Sequence, residues 1–197
     1  MSLSAAGCMT VLIVMVKDVT TDMDQPLAAI HFGKDEGVDA VLKVAVDLLQ
    51  ADGARIGGFV QHDTEDPVAC CSITHVEDVM TGARHRITQA LGAGSRGCRL
   101  DPQALADVAG RLLATLDDGV DLVVLNRFGK GEADGQGLRA VIEKALHLGV
   151  PVLIAVRDTY RDDWEAFAGE LAVALPLDAE RIAEWGRAAL TGAGSNA

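Results

Sequence analysis

Asp121-Leu-Val-Val-Leu-Asn-Arg-Phe-Gly-Lys-Gly-Glu132 is the stretch on which the fold turns. Its apolar run, Leu122 to Leu125, predicts a buried strand that stops at a polar residue, Asn126. A short loop follows, with Gly129 and Gly131 around Lys130, and a helix is expected to begin near Gly135 to Leu138. In open α/β sheets, ligands bind where parallel strands end, so this loop is expected to face a site.

Upstream, Pro26 to Phe32 reads as a second buried strand, and Gly33-Lys-Asp-Glu-Gly37 as its loop. Val38, Val41, Leu42, Ala45, Leu48 and Leu49 then recur at helical spacing, and Ile56 to Gln61 is a further strand. A strand–helix–strand unit implies a parallel sheet. Val68 to Val76 and Arg84 to Gln89, around a turn near Thr81-Gly82, predict an inserted antiparallel hairpin. Asp101-Pro102 suits a helix start, with Leu105, Ala109, Leu112, Leu113 and Leu116 on its apolar face. A helix over about 136–148 leads to the strand Val150 to Val156, and Trp164 to Ala174 and Asp178 to Leu190 read as two more helices. The expected architecture is a three-layer α/β fold with a mainly parallel sheet and a small antiparallel hairpin. Residues 1–25 form an N-terminal arm, 26–190 a single domain, and 191–197 a mobile tail.

The 197 residues suffice for one hydrophobic core. The formal net charge of −12, without a Lys/Arg cluster, disfavours nucleic acid and anionic membrane surfaces as partners. The apolar run Cys8 to Val16 is too short to span a bilayer and lacks the flanks of a signal peptide. Cys8, Cys70, Cys71 and Cys98 form no CxxC pair, and they read as reduced thiols of a cytoplasmic protein. No metal-ligand spacing stands out. Cys98 lies between Arg96 and Arg99, where flanking cations would favour a reactive thiolate.

Two loops could hold an anion. Gly33-Lys34 between strand and helix has the arrangement of a phosphate-binding loop, because helix-start N–H groups attract anions and a lysine adds a point charge. The full pattern, G-x-x-x-x-G-K-[ST], is not met: Asp35 replaces the hydroxyl residue and Ala28 the first glycine. An ordinary strand-to-helix turn with a solvated lysine is the alternative. Gly92-Ala-Gly-Ser-Arg-Gly-Cys-Arg99 joins Ser95, Arg96 and Arg99 to a glycine-rich backbone that a ligand can approach closely, or is a solvent-exposed linker. Arg157 follows the strand Val150 to Val156 and belongs to the same edge. Tyr160 reads as packing on Trp164.

Three segments together, Ile56-Gly-Gly-Phe-Val-Gln61, Gly97-Cys-Arg-Leu-Asp101 and Asn126-Arg-Phe-Gly-Lys-Gly-Glu-Ala-Asp-Gly135, resemble the bacterial family called domain of unknown function 2478, over roughly residues 26–177. That family is similar in turn to THEP-type nucleoside-triphosphatases, which are P-loop proteins. Their second motif reads Asp-Glu-Ile-Gly-Lys-Met-Glu. Gly129, Lys130 and Glu132 match it, while Asn126 and Arg127 replace its first two acids. The first motif matches only at Gly33 and Lys34.

The resemblance implies a P-loop-like fold and a small anionic ligand, a nucleoside phosphate or a tetrahedral oxyanion. Losing the hydroxyl and the acid removes groups that hold magnesium, which argues against efficient hydrolysis. The expected ligand set is Gly33, Lys34, Ser95, Arg96, Arg99, Asn126, Gly129, Lys130 and Arg157. Two further readings stay open. One is a slow triphosphatase or phosphotransferase using a nucleotide with magnesium, with Asp35 or Glu132 recruited to the metal. The other is a ligand-free scaffold or an accessory protein linked to molybdate, the oxyanion suggested by a connection of relatives to molybdenum uptake. Catalytic residues and oligomeric state are not legible in the chain.

Overall fold

A computed structural model describes residues 25–65, 72–90 and 98–193. In chain order the elements are β1 (Leu27–Phe32), α1 (Val38–Ala51), β2 (Ile56–Glu65), β3 (Ser72–Asp78), β4 (Arg84–Arg86), β5 (Thr88–Ala90), β6 (Cys98–Leu100), α2 (Pro102–Asp117), β7 (Leu122–Phe128), α3 (Lys130–Ala133), α4 (Arg139–His147), β8 (Val152–Arg157), α5 (Arg161–Ala168), β9 (Ala172–Leu175) and α6 (Ala179–Ala193). Short 3-10 turns flank α5 at Asp158–Tyr160 and Gly169–Leu171. Residues 1–24 of the expected arm 1–25, residues 66–71 with the start of the expected strand Val68 to Val76, the Gly-rich stretch 91–97 and residues 194–197 lie outside the described residues.

One sheet has the order β4-β3-β2-β7-β8-β1-β9. The five strands from β2 to β9 run parallel, and β3 and β4 add on antiparallel. β5 and β6 form a separate antiparallel pair. The expected mainly parallel sheet with an antiparallel insertion is therefore the observed one.

Side chains alternate across a strand, and the alternation divides the core in two. Leu27, Ala29, Val123, Leu125, Val152, Ile154 and Val156 face α2, α4 and α5. Ala28, Ile30, Phe32, Leu122, Val124, Leu153 and Ala155 face α1 and α6. Strands buried on both faces read as unbroken apolar runs, which is why β1, β7 and β8 were legible. Asp101 caps α2 as its sequence predicts, accepting hydrogen bonds from the N–H groups of Gln103 and Ala104.

β2 serves two neighbours. Ile56, Gly57 and Gly58 pair with β7, and from Phe59 onward the strand pairs with β3. At the crossing, Gly58 has φ +134°, and a Cβ there would lie 2.0 Å from the Val124 carbonyl oxygen. Only glycine fits so close a backbone approach.

Several elements differ from the sequence reading, among them the expected strand Arg84 to Gln89, which is divided into β4 and β5. β7 does not stop at Leu125 but continues to Phe128. An extra helical turn, α3, begins at Lys130. The expected helix over Trp164 to Ala174 ends at Ala168, and Ala172–Leu175 is the edge strand β9.

Candidate functional site

The carboxyl ends of β1, β8 and β7 lie side by side. Phe32 is in register with Arg157, and Val156 with Phe128. The helix after β1 packs on one face of the sheet and the helix after β8 on the other. Two adjacent parallel strands whose connections leave on opposite faces open a crevice at their ends.

A bulge in β7 supplies the site's side chains. Leu125 pairs with Ile154 and Phe128 with Val156, so three steps on β7 oppose two on β8. The extra residue shifts the alternation. Asn126 and Arg127, which would otherwise point to opposite faces, both reach Asp39 in the first turn of α1. Phe128 is returned to the α5 side, where it meets Trp164 and Phe167 with ring centroids 5.3 and 5.9 Å away.

Asn126 is 5% exposed. Its Nδ2 donates to Asp39 Oδ1 at 3.1 Å and, at 3.5 Å, to Gln61 Oε1. Gln61 is itself oriented, because its Nε2 donates to both carboxylate oxygens of Asp63 at 3.1 Å. Arg127 pairs with the other Asp39 oxygen at 3.2 Å. The carboxylate of Asp39 is thus shared by an amide and a guanidinium, at a helix start whose dipole also favours it. Two polar atoms of this network, Asn126 Oδ1 and Arg127 Nε, are buried without a partner among the described residues.

Phe32 underlies the crevice. The Arg127 guanidinium lies 5.3 Å from its ring centroid and that of Arg157 5.9 Å. Cations over an aromatic face are attracted by its quadrupole. Arg157 is exposed and makes no ion pair among the described residues. The ammonium groups of Lys34 and Lys130 are likewise exposed and unpaired there.

The two loops differ. In the first, the Gly33 N–H donates to the Glu36 carboxylate at 2.6 Å, and Asp35 has φ +68°. A carboxylate of the chain itself sits on the N–H that would greet a phosphate. In the second, Glu132 is 9% exposed and folds back on its own loop. It accepts hydrogen bonds from Gly129 N–H at 3.0 Å and Leu138 N–H at 2.8 Å. Gly137 passes beside it with φ +63°, where a Cβ would be 2.3 Å from Glu132 Oε1. Glu132 therefore shapes the loop that carries Lys130.

Of the residues expected at the site, Gly33, Lys34, Asn126, Gly129, Lys130 and Arg157 end at this one edge. Ser95 and Arg96 lie outside the described residues, and of Arg99 only its place in β6, opposite Gln89, is described. Asp39, Gln61 and Arg127 complete the network and were not among the expected ligands. Tyr160 packs against the cluster that includes Trp164, as read from the sequence. Among the described residues no three His, Cys, Asp or Glu side chains group as a metal site, and no helix is long and apolar enough to cross a membrane. A cavity of about 500 Å³ lies at the opposite end of the sheet, lined by residues such as Asp52, Asp121, Leu148 and Arg187.

Three comparisons bear on this arrangement. The family described as a protein of unknown function, DUF2478, matches residues 27–185. The molybdenum import ATP-binding protein ModC 2 of Bradyrhizobium diazoefficiens is 37% identical over 162 residues. Those residues are 82% of this chain but 18% of that protein, so the chain spans under a fifth of the relative's length. The solution structure of a human cancer-related nucleoside triphosphatase superposes with a TM-score of 0.55 at 12% identity, covering 86% of this chain and 98% of that one. The crystal structure of THEP1 from Aquifex aeolicus gives a TM-score of 0.49 at 15% identity, over 78% and 91% of the two chains.

Proposed function

This chain belongs to the DUF2478 family and has a nucleoside-triphosphatase-like α/β fold, and from that premise we propose that it binds a small anion at the carboxyl edge of its sheet without hydrolysing it efficiently. The ligand is a nucleoside phosphate or a tetrahedral oxyanion. One observation carries the reading. In a chain of net charge −12, Arg127 and Arg157 both lie over the Phe32 ring at the strand ends, with Lys34 and Lys130 exposed on the adjoining loops. Guanidinium groups match oxyanions in geometry and charge.

The residues present do not suit a magnesium–nucleotide centre. Asn126 is neutral where an acid would attract the metal. Asp39 is already held by Asn126 and Arg127, and both oxygens of Glu132 are taken by backbone N–H groups. Magnesium is bound through carboxylates and phosphate oxygens with near-octahedral demands, so it would have to displace Arg127 from Asp39. The reading accordingly has binding without a metal-dependent transfer step.

Calorimetric titration with inorganic phosphate and nucleotides tests it, beside Arg157→Ala and Lys130→Ala. Either substitution is expected to weaken binding about tenfold, the effect of losing one charge-assisted contact. Added salt should weaken it further, and magnesium should leave the affinity unchanged. Phosphate release at multiple turnovers per minute by the unaltered protein, abolished by Lys34→Ala, would replace this reading with the enzymatic one. A second reading, an accessory protein that handles molybdate, is favoured by the name of the ModC 2 relative. It predicts that molybdate binds more tightly than phosphate.

A further inference from the structure

We propose that the site selects an oxyanion bearing its own O–H group, hydrogen phosphate in its simplest form, over tetrahedral oxyanions of equal charge that carry none. The proposal rests on the anion-binding reading and deepens it by naming the ligand's chemistry.

The argument starts from the two unpartnered atoms. Asp63 orients the Gln61 amide so that its oxygen faces Asn126. Gln61 Oε1 and Asp39 Oδ1 are both acceptors, so the Asn126 amide must turn its NH₂ toward them. The Asn126 oxygen is left buried, on a residue 5% exposed, with no donor to accept from among the described residues. An unsatisfied acceptor in such a place has a free-energy cost that a ligand's donor would relieve. Next to it, Arg127 spends one terminal nitrogen on Asp39 and leaves Nε unspent. The pair therefore offers one acceptor and one charged donor.

A fully deprotonated tetrahedral anion satisfies only the donor. Hydrogen phosphate satisfies both, giving its O–H to Asn126 Oδ1 and a bare oxygen to Arg127. Both atoms are covered, and both belong to residues that the Asp39 carboxylate holds in place. An incoming anion competes with that carboxylate for the same two side chains. Asp39 is thus the internal counterpart of the ligand.

Phosphate, sulfate, molybdate and tungstate are all tetrahedral dianions at about pH 8, above the second ionisation of phosphate, and only phosphate then keeps a proton. Titration of the unaltered protein with each is expected to show phosphate binding at least about tenfold more tightly than the other three. Equal affinities, or tighter molybdate, would overturn the proposal and leave the anion site standing. No binding of any of the four would remove the anion reading itself.

Asn126→Leu, which deletes the acceptor at similar volume, is expected to bring phosphate down to the level of sulfate. A gap that persists in a folded Asn126→Leu protein overturns the proposal, and the unaltered protein decides alone if the variant does not fold. A nucleoside monophosphate separates the two sources of this chemistry. Between about pH 6 and about pH 8 both ligands gain a charge, but the monoester loses its only P–OH proton while inorganic phosphate keeps one, so the affinity of the monoester relative to inorganic phosphate should fall over that range. An unchanged ratio of the two affinities counts against O–H recognition.

Discussion

Asn126 and Asp39 set the tolerance of the site to charge. Replacing Asn126 with Asp removes the NH₂ donor and brings two carboxylates to the separation now bridged by a 3.1 Å hydrogen bond. Like charges that close disfavour joint ionisation, and a buried network that loses a donor costs about 1–3 kcal/mol. Asn126→Asp should therefore lower the stability measured by urea unfolding at neutral pH, with part of the loss recovered in acid, where one carboxyl stays protonated. Magnesium should raise the melting temperature of this variant more than that of the unaltered protein. Equal stability at neutral pH would mean that the Asp39 contact contributes little.

Gly137 gives a second residue-scale test. Its φ of +63° and the 2.3 Å approach to Glu132 predict that Gly137→Ala costs more than about 1 kcal/mol. Gly135→Ala, at φ +80° with open space around it, carries only the backbone strain and should cost less. The strand-end places of Asn126 and Arg157 were legible in the sequence because each directly follows an apolar run, and that of Lys130 because it stands between two glycines in the loop after the first of these. Asp39 was not, because an acid in the first turn of a helix has the same sequence signature as a solvated one. Gln61 stood in a quoted motif, ending the run Ile56 to Val60, and that polar strand-end position was the available signal.

At the scale of elements, the β7 bulge does most to build the site. It turns Asn126 and Arg127 toward the same helix, and no apolar periodicity announces it, since the residues concerned are polar. β9 escaped the sequence for a different reason. Ala-Val-Ala-Leu is only four residues of small and apolar side chains, a pattern that suits helix and strand alike.

Between β1 and α5 lies a titratable group with its own consequence. His31 has its pKa lowered from the ordinary 6.5, first by burial and then by the Arg161 charge, with Asp158 and Glu165 acting the other way. Its Nδ1 is buried without a partner among the described residues. A folded-state pKa below the unfolded one means that the unfolded chain takes up the proton more readily. Stability is then full above the ordinary value and falls as pH drops below 6.5 toward the folded pKa. His31→Gln should flatten that part of the stability–pH curve in urea titrations. An unaltered slope would assign the acid sensitivity to other groups.

For the molecule as a whole, the strand order is what makes a single site out of distant segments. β1, β8 and β7 are separated widely in sequence yet adjacent in the sheet, so Gly33, Asn126, Lys130 and Arg157 share one edge. Parallel pairing from strand–helix–strand repeats made that edge predictable from the chain. The identity of the ligand was not predictable, because it depends on which polar atoms stay unspent after folding.

The net charge of −12 repels anions as a whole, so anion binding needs a local concentration of cations. The most direct measurement is an inorganic phosphate titration followed residue by residue through backbone amide NMR shifts. The account predicts saturable changes confined to Phe32–Asp39, Asn126–Lys130 and Arg157–Asp158. An absence of saturable change, or changes centred on Asp52, Asp121 and Arg187 at the opposite end of the sheet, would contradict it.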